Sequence, residues 1–150
     1  MSSTTLLATP GRTALALKTE QEMLDFGADF AKKITIPAVI ELIGDVGAGK
    51  TTFTRGLARG LGIEEPITSP SFTISKRYRI PDTDHFLVHY DFYRLPNPGL
   101  MMDDLAEAIG DPHNLVVLEW ADSVKGLLPE HHQTISFALN DDGLRVLTIS

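Results

Sequence analysis

Apolar and polar positions along this chain sort into short strands and amphipathic helices. Thr13 to Leu17 alternates and predicts a strand. Thr19-Glu-Gln-Glu22 has the form of a capping box, a Thr with Glu three residues on. Met23, Leu24, Phe26, Ala28, Phe30 and Ala31 follow largely at helical spacing, so a helix is expected to end near Lys33. Val39 to Ile43 is a compact apolar run and predicts a buried strand. A helix-compatible stretch runs from Thr51 to Leu61, carrying Phe53, Leu57, Ala58 and Leu61, with Gly60 and Gly62 as stop positions. Arg55 and Arg59, one turn apart on it, read as a solvated face.

Glu64 to Pro70 cannot continue that helix, because proline lacks an N–H and restricts its predecessor. Phe72 to Ile80 alternates, Pro81 to Asp84 has turn chemistry, and His85 to Tyr90 reads as a second strand, which predicts a hairpin. Asp103 to Ile109 reads as a short helix with acids in its first turn, stopped by Gly110-Asp-Pro112. Leu115 to Leu118 predicts a buried strand, and Leu127 to Glu130 a loop. Thr134–Leu139 and Leu144–Ile149 flank Asn140-Asp-Asp-Gly143, a strong hairpin signal. The mixture predicts a single α/β domain over residues 1–150: a mixed, partly parallel central sheet with flanking helices and antiparallel hairpins. Residues 1–12 lack a basic stretch followed by an apolar core, so they read as a frayed terminus rather than a secretory leader.

Composition narrows the classes. A chain of 150 residues is long enough for one real core. No apolar run is long enough to span a bilayer. There are no cysteines, which removes disulfides, thiolate zinc sites and cysteine nucleophiles and fits a cytoplasmic protein. The formal net charge of −7 lacks the electrostatic footprint of a nucleic-acid binder, so any nucleic-acid role is expected to run through a partner protein or through a local patch hidden by the total.

The stretch that carries chemistry is Gly44-Asp45-Val46-Gly47-Ala48-Gly49-Lys50-Thr51-Thr52. Residues 44–51 fit G-x-x-x-x-G-K-[ST], the phosphate-binding loop of P-loop NTPases. Glycines let successive N–H groups curl toward one concavity above a helix N-terminus, which suits phosphate. Lys50 is expected to reach the β- and γ-phosphates, and the Thr51 hydroxyl to hold Mg²⁺. A glycine-rich turn that binds nothing is the bland alternative. The apolar strand before the loop and the helix after it favour the triphosphate reading.

Mg²⁺ also needs a carboxylate at a neighbouring strand end. Phe86 to Asp91 and Leu115 to Glu119 are both apolar runs ending in an acid, and spacing alone does not say which acid touches the metal. His85 and His89 share a face if that run is a strand, too far apart to share one ion unaided; His131-His132 reads as a loop pair without a third ligand.

Four blocks together resemble a known family: the phosphate loop, Thr68-Ser-Pro-Ser-Phe72, His89-Tyr-Asp-Phe-Tyr-Arg94 and Leu118-Glu-Trp-Ala121. The chain resembles the bacterial TsaE (YjeE) family, small ATPases of tRNA threonylcarbamoyladenosine synthesis, from about Leu17 to Leu139. The resemblance implies ATP and Mg²⁺ as cofactors, Thr51 and Glu119 as metal ligands, and Asp91 as the acid needed for hydrolysis. It implies a switch-like loop at Thr68, Ser69, Pro70, Ser71 and Phe72, where Ser71 stands for the family's frequent Thr. It implies a base contact near Thr19 and Glu20, a nucleotide contact at Arg145 and an important role for Trp120. The implied partners are the proteins of the tRNA threonylcarbamoyl-transferase complex, with tRNA met only indirectly.

A stand-alone small-molecule kinase is the main rival reading, and a nucleotide-binding regulatory module without turnover is a third. Arg77 and Arg79 fall on a predicted hairpin rather than a lid, which counts against the kinase. No arginine finger is evident; Arg94 is the nearest internal candidate, and its closeness to Asp91 suits bracing of the strand end.

Overall fold

The computed structural model describes residues 5–9, 12–45, 47–68, 75–93, 99 and 101–150, with backbone alone for 5–9 and 12. Val46, Ser69, Pro70, Ser71, Phe72 and Arg94, singled out above, lie outside the described residues.

Eight strands form one sheet in the order β1-β2-β8-β7-β3-β6-β5-β4. They are β1 (Thr5–Thr9), β2 (Arg12–Leu17), β3 (Ala38–Ile43), β4 (Ser75–Arg79), β5 (Phe86–Asp91), β6 (Asn114–Glu119), β7 (Gln133–Leu139) and β8 (Arg145–Ile149). The middle four, β7, β3, β6 and β5, are mutually parallel. Antiparallel strands flank them: β8, β2 and β1 on one side, β4 on the other. Parallel strands are covered on both faces and need near-continuous apolar runs. Accordingly every residue of β6 is buried.

The helices are α1 (Glu20–Lys33), α2 (Lys50–Gly60) and α3 (Met101–Gly110), with a 3-10 helix at Ala121–Leu127. α1 and α2 cover the face built by Leu15, Ile40, Leu42, Leu87, Val117 and Phe137. α3 and the 3-10 helix cover the opposite face, with Val39, Val88, Tyr90, Val116 and Leu118. The period-2 alternation of strand side chains therefore splits the core into two layers.

The expected capping box forms. The Thr19 hydroxyl accepts from the Glu22 N–H at 3.0 Å, and Glu22 Oε1 accepts from the Lys18 N–H at 2.9 Å. α1 and α2 approach closely because glycine faces glycine across them. A Cβ on Gly56 would stand 2.3 Å from Leu24 O, and one on Gly27 2.5 Å from Phe53 O. Both hairpins read from the sequence are present, β4–β5 and β7–β8. Within the start expected to be frayed over residues 1–12, Thr5–Thr9 instead pairs antiparallel with β2, Thr9 opposite Arg12. Its threonines and leucines suit a strand.

Candidate functional site

The chemistry-bearing residues meet at the carboxyl ends of the parallel strands. β3 stops at Ile43, and the chain turns back into α2 at Gly49-Lys50. Gly49 is the N-cap at φ 110, a left-handed conformation that favours glycine. A Cβ there would lie 2.7 Å from Met23 Cε and 3.3 Å from Arg145 Cδ. Glycine thus lets α1, β8 and the loop close on one another. It brings no side-chain cap, so the first-turn N–H dipoles of α2 remain suited to an anion.

Lys50 is almost fully buried. Its Nζ donates to Gly44 O at 2.6 Å, lies 3.9 Å from Glu119 Oε1 and sits 4.1 Å from the centroid of the Trp120 ring. Burial pulls the Lys50 ammonium below its usual pKa, while the charges of Glu119, Asp91 and Asp45 oppose that shift. The Lys50 ammonium is therefore held inside the site by a carbonyl, a carboxylate and an aromatic face.

The strand-end acids are neighbours. β5 and β6 are parallel with Asp91 opposite Glu119, so both side chains fall on the α2 face of the sheet. Glu119 is buried, with Oε2 accepting a 2.6 Å hydrogen bond from His89 Nε2. Asp91 is half-buried, and its Oδ1 accepts from the Tyr93 N–H at 2.9 Å. Trp120 follows Glu119 at φ 56, rare for a bulky residue and costing about 1–2 kcal/mol. That turn brings its ring over Lys50 and to 4.8 Å from the Tyr93 ring.

These groups enclose a cavity of about 400 Å³ lined by Gly47, Gly49, Lys50, Thr51, Thr52, Asp91, Tyr93, Glu119, Trp120 and Arg145. Its two ends differ. Asp91 and Glu119 stand over β5 and β6, on one side of β3. Arg145 stands over β8, on the other side, where it pairs with Leu139 of β7 and Leu17 of β2. Thr19 and Glu20 are exposed at the start of α1 and do not line the cavity; Met23, in the same helical turn, touches Gly49. Asp45 is exposed, Ala48 is buried beneath the loop, and Asp45 lines a smaller neighbouring cavity with Glu41 and Gly44. Of the expected switch loop only Thr68 is described; its hydroxyl accepts from Lys76 Nζ.

A family model described as threonylcarbamoyl adenosine biosynthesis protein TsaE matches residues 17–146. The chain belongs to the TsaE family. A relative from Treponema pallidum (strain Nichols), called tRNA threonylcarbamoyladenosine biosynthesis protein TsaE, is 36% identical over 133 residues, covering 89% of this chain and 96% of its own. One of the same name from Bacillus subtilis (strain 168) is 38% identical over 114 residues, 75% of this chain and 68% of its own. The crystal structure of Bacillus subtilis YdiB superposes with a TM-score of 0.74 at 29% identity, covering 99% of this chain and 87% of that one. Membership assigns the chain to tRNA threonylcarbamoyladenosine biosynthesis on a P-loop NTPase fold. Among the described residues, no helix is long and apolar enough to cross a membrane.

The donor set suits the cofactors a TsaE-family member implies. Thr51, Asp91 and Glu119 offer oxygen ligands, which a hard cation such as Mg²⁺ requires. Among the described residues, no three His, Asp or Glu side chains are grouped to hold an ion by themselves. An ion here would draw its remaining ligands from phosphate and water, the usual habit of Mg²⁺. The sequence reading missed His89 and Tyr93 as parts of the site. Period-2 counting outward from Asp91 would have found His89, because residues two apart on a strand share a face.

Proposed function

We propose that this TsaE-family chain binds ATP with Mg²⁺ and hydrolyses it slowly, as a partner-dependent component of tRNA threonylcarbamoyladenosine modification. The carrying observation is the convergence of Lys50, Thr51, Asp91 and Glu119 on one cavity at the mouth of the phosphate loop. In this reading Lys50 leaves Gly44 O for the β- and γ-phosphates. Thr51 and Glu119 would hold the metal, whose positive charge would offset the charge that develops on the phosphate oxygens. Asp91 orients the attacking water toward the γ-phosphorus. Arg145, with the α1 start at Thr19 and Glu20, receives the nucleoside end, because the acids occupy the opposite side of β3.

Slow turnover in isolation is expected from the cations that the described residues bring to the cavity. Lys50 is spoken for by the β/γ oxygens, and Arg145 stands at the nucleoside end. A missing arginine finger costs about 10³–10⁵ in rate. The proteins of the threonylcarbamoyl-transferase complex would close the site and exclude water, with tRNA met only through them. Trp120 and the exposed Tyr93 frame the open side that such a partner would cover.

Phosphate release is measured for the protein alone and with the purified partner complex. Slow release alone and faster release in complex are expected. Asp91→Asn should keep ATP bound and stop turnover, whereas Glu119→Gln should weaken Mg²⁺-dependent binding. Fast release that no partner changes defeats the coupled reading and favours an independent hydrolase or kinase.

A further inference from the structure

His89 is the most deeply buried histidine of the chain's described residues, at 1% exposure, and the reaction as set out above does not use it. Its Nε2 lies 2.6 Å from Glu119 Oε2, while no described residue offers a partner to its equally buried Nδ1. A plain packing position between Leu87 and the sheet's α2-facing layer would be filled more favourably by an apolar side chain, because an orphaned buried nitrogen is costly. What His89 gives in return is a fixed carboxylate. The His89 and Glu119 side chains emerge from adjacent parallel strands, His89 being opposite Val117 and two residues before Asp91.

We propose that His89 is a positioning residue for the metal-binding carboxylate: Nε2–H holds Glu119 Oε2, so that Oε1 is the oxygen aimed into the cavity. The inference rests on the reading of Glu119 as a metal ligand. The geometry is one-sided in the way this requires. Oε2 is taken up by the imidazole at 2.6 Å, and Oε1 is the oxygen nearer Lys50, at 3.9 Å. A carboxylate accepts hydrogen bonds, so Nε2 carries the proton and Nδ1 is the bare nitrogen. Partners of this kind fix ligand orientation, and their removal typically costs about 10–100-fold in metal affinity. Asp91 needs no such brace, since its Oδ1 is already held by the Tyr93 N–H.

The test is the gain in ATP affinity on adding Mg²⁺, measured by calorimetry against an EDTA reference, for wild type, His89→Leu and His89→Gln. A wild-type gain is expected. His89→Leu should keep the EDTA-state affinity and lose about tenfold or more of the Mg²⁺-dependent gain. His89→Gln, which retains an N–H donor, should recover most of it. In a Glu119→Gln background His89→Leu should have no further effect. An undiminished gain in His89→Leu, or a loss that persists in the Glu119→Gln background, overturns the proposal. A wild type without any gain instead removes the reading of Glu119 beneath it. Because His89→Leu alters the core, ring ¹⁵N spectra of the wild type provide a second check. A protonated Nε2 with slow exchange is expected, and a protonated Nδ1 with bare Nε2 overturns the proposal.

Discussion

Adding one methyl group to Gly56 tests how the phosphate loop is held. Gly56 lies in α2, where Ala is preferred over Gly by about 1 kcal/mol in a helix interior. Propensity alone therefore predicts that Gly56→Ala stabilises the protein. The structure predicts the opposite. The new Cβ would meet Leu24 O at 2.3 Å, Leu24 C at 2.9 Å and Leu24 Cα at 2.9 Å. These are backbone atoms of α1, so no side chain can rotate away. Overpacking of this kind costs about 1–3 kcal/mol, and here it falls on two packed helices. A 2.3 Å clash with rigid backbone belongs at the upper end of that range, about 2–3 kcal/mol, so after the propensity gain of about 1 kcal/mol the net expectation is a destabilisation of about 1–2 kcal/mol. For a chain of this size that lowers Tm by roughly 2–8 °C. Gly110→Ala at the end of α3 is the control, because a Cβ there meets nothing within 4 Å. It should change Tm little. The assay is thermal and urea unfolding of both variants beside the wild type, with ATP calorimetry on the same samples. Because Lys50 and Thr51 begin α2, Gly56→Ala should also weaken nucleotide binding through the displaced helix. A Gly56→Ala protein as stable as wild type, or more so, would refute the close α1–α2 approach.

Lys50 gives a pH dependence. Its pKa is lowered in the free protein by burial, and bound phosphate would raise it, so ATP affinity should fall as pH rises through the lowered value. Calorimetry in two buffers of different ionisation enthalpy should show proton uptake on binding in that range; none at any alkaline pH would count against Lys50 as the phosphate cation. Tyr90 donates to Asp104 Oδ2 at 2.6 Å, tying β5 to α3, so Tyr90→Phe should cost about 1–2 kcal/mol in urea unfolding. Burial and then that hydrogen bond raise the Tyr90 pKa, so its contribution is present below the unfolded phenol value of about 10 and is lost above it. The alkaline decline in stability should therefore be smaller in Tyr90→Phe. Trp120 is the only tryptophan, and its ring covers Lys50, so intrinsic fluorescence should change when ATP draws the ammonium away; a signal indifferent to saturating ATP would argue that ring and cation stay together.

The sequence made the middle of the sheet legible and its margins less so. Val39–Ile43, Phe86–Asp91 and Leu115–Glu119 are apolar runs that declare strands buried on both faces, and each ends where a site residue begins. The phosphate loop is fixed by local spacing, so its placement needed no tertiary knowledge. The Asp91–Glu119 pairing was different. Each acid was visible, but their register depends on a parallel contact between strands 28 residues apart, counting from Asp91 to Glu119. His89 was visible only as a histidine, since its use comes from the carboxylate across that same contact. Likewise His132 read as half of a loop pair, yet its Nε2 lies 3.1 Å from the buried Glu41, which Lys125 also approaches at 3.8 Å. A buried carboxylate on an apolar strand was the available signal, because such a charge demands partners. Strand β1 was missed because short segments next to a chain end carry little periodicity to count.

The strand order has a consequence for how the protein is made. β2 pairs with β1 on one edge and with β8 on the other, and β8 spans Arg145–Ile149. A ribosome releases residue 17 long before residue 145. Until β8 emerges, β2 keeps an open hydrogen-bonding edge while α1, α2 and the parallel strands can already pack. The β7–β8 hairpin then has to enter between β2 and β3, and Arg145 reaches Gly49 only when it does. The Arg145 end of the cavity is thus completed only with β8, and a nascent chain exposes an unpaired strand edge until that moment. Pausing before β8 is released would leave a protein with its loop lysine and both acids in place and one wall missing.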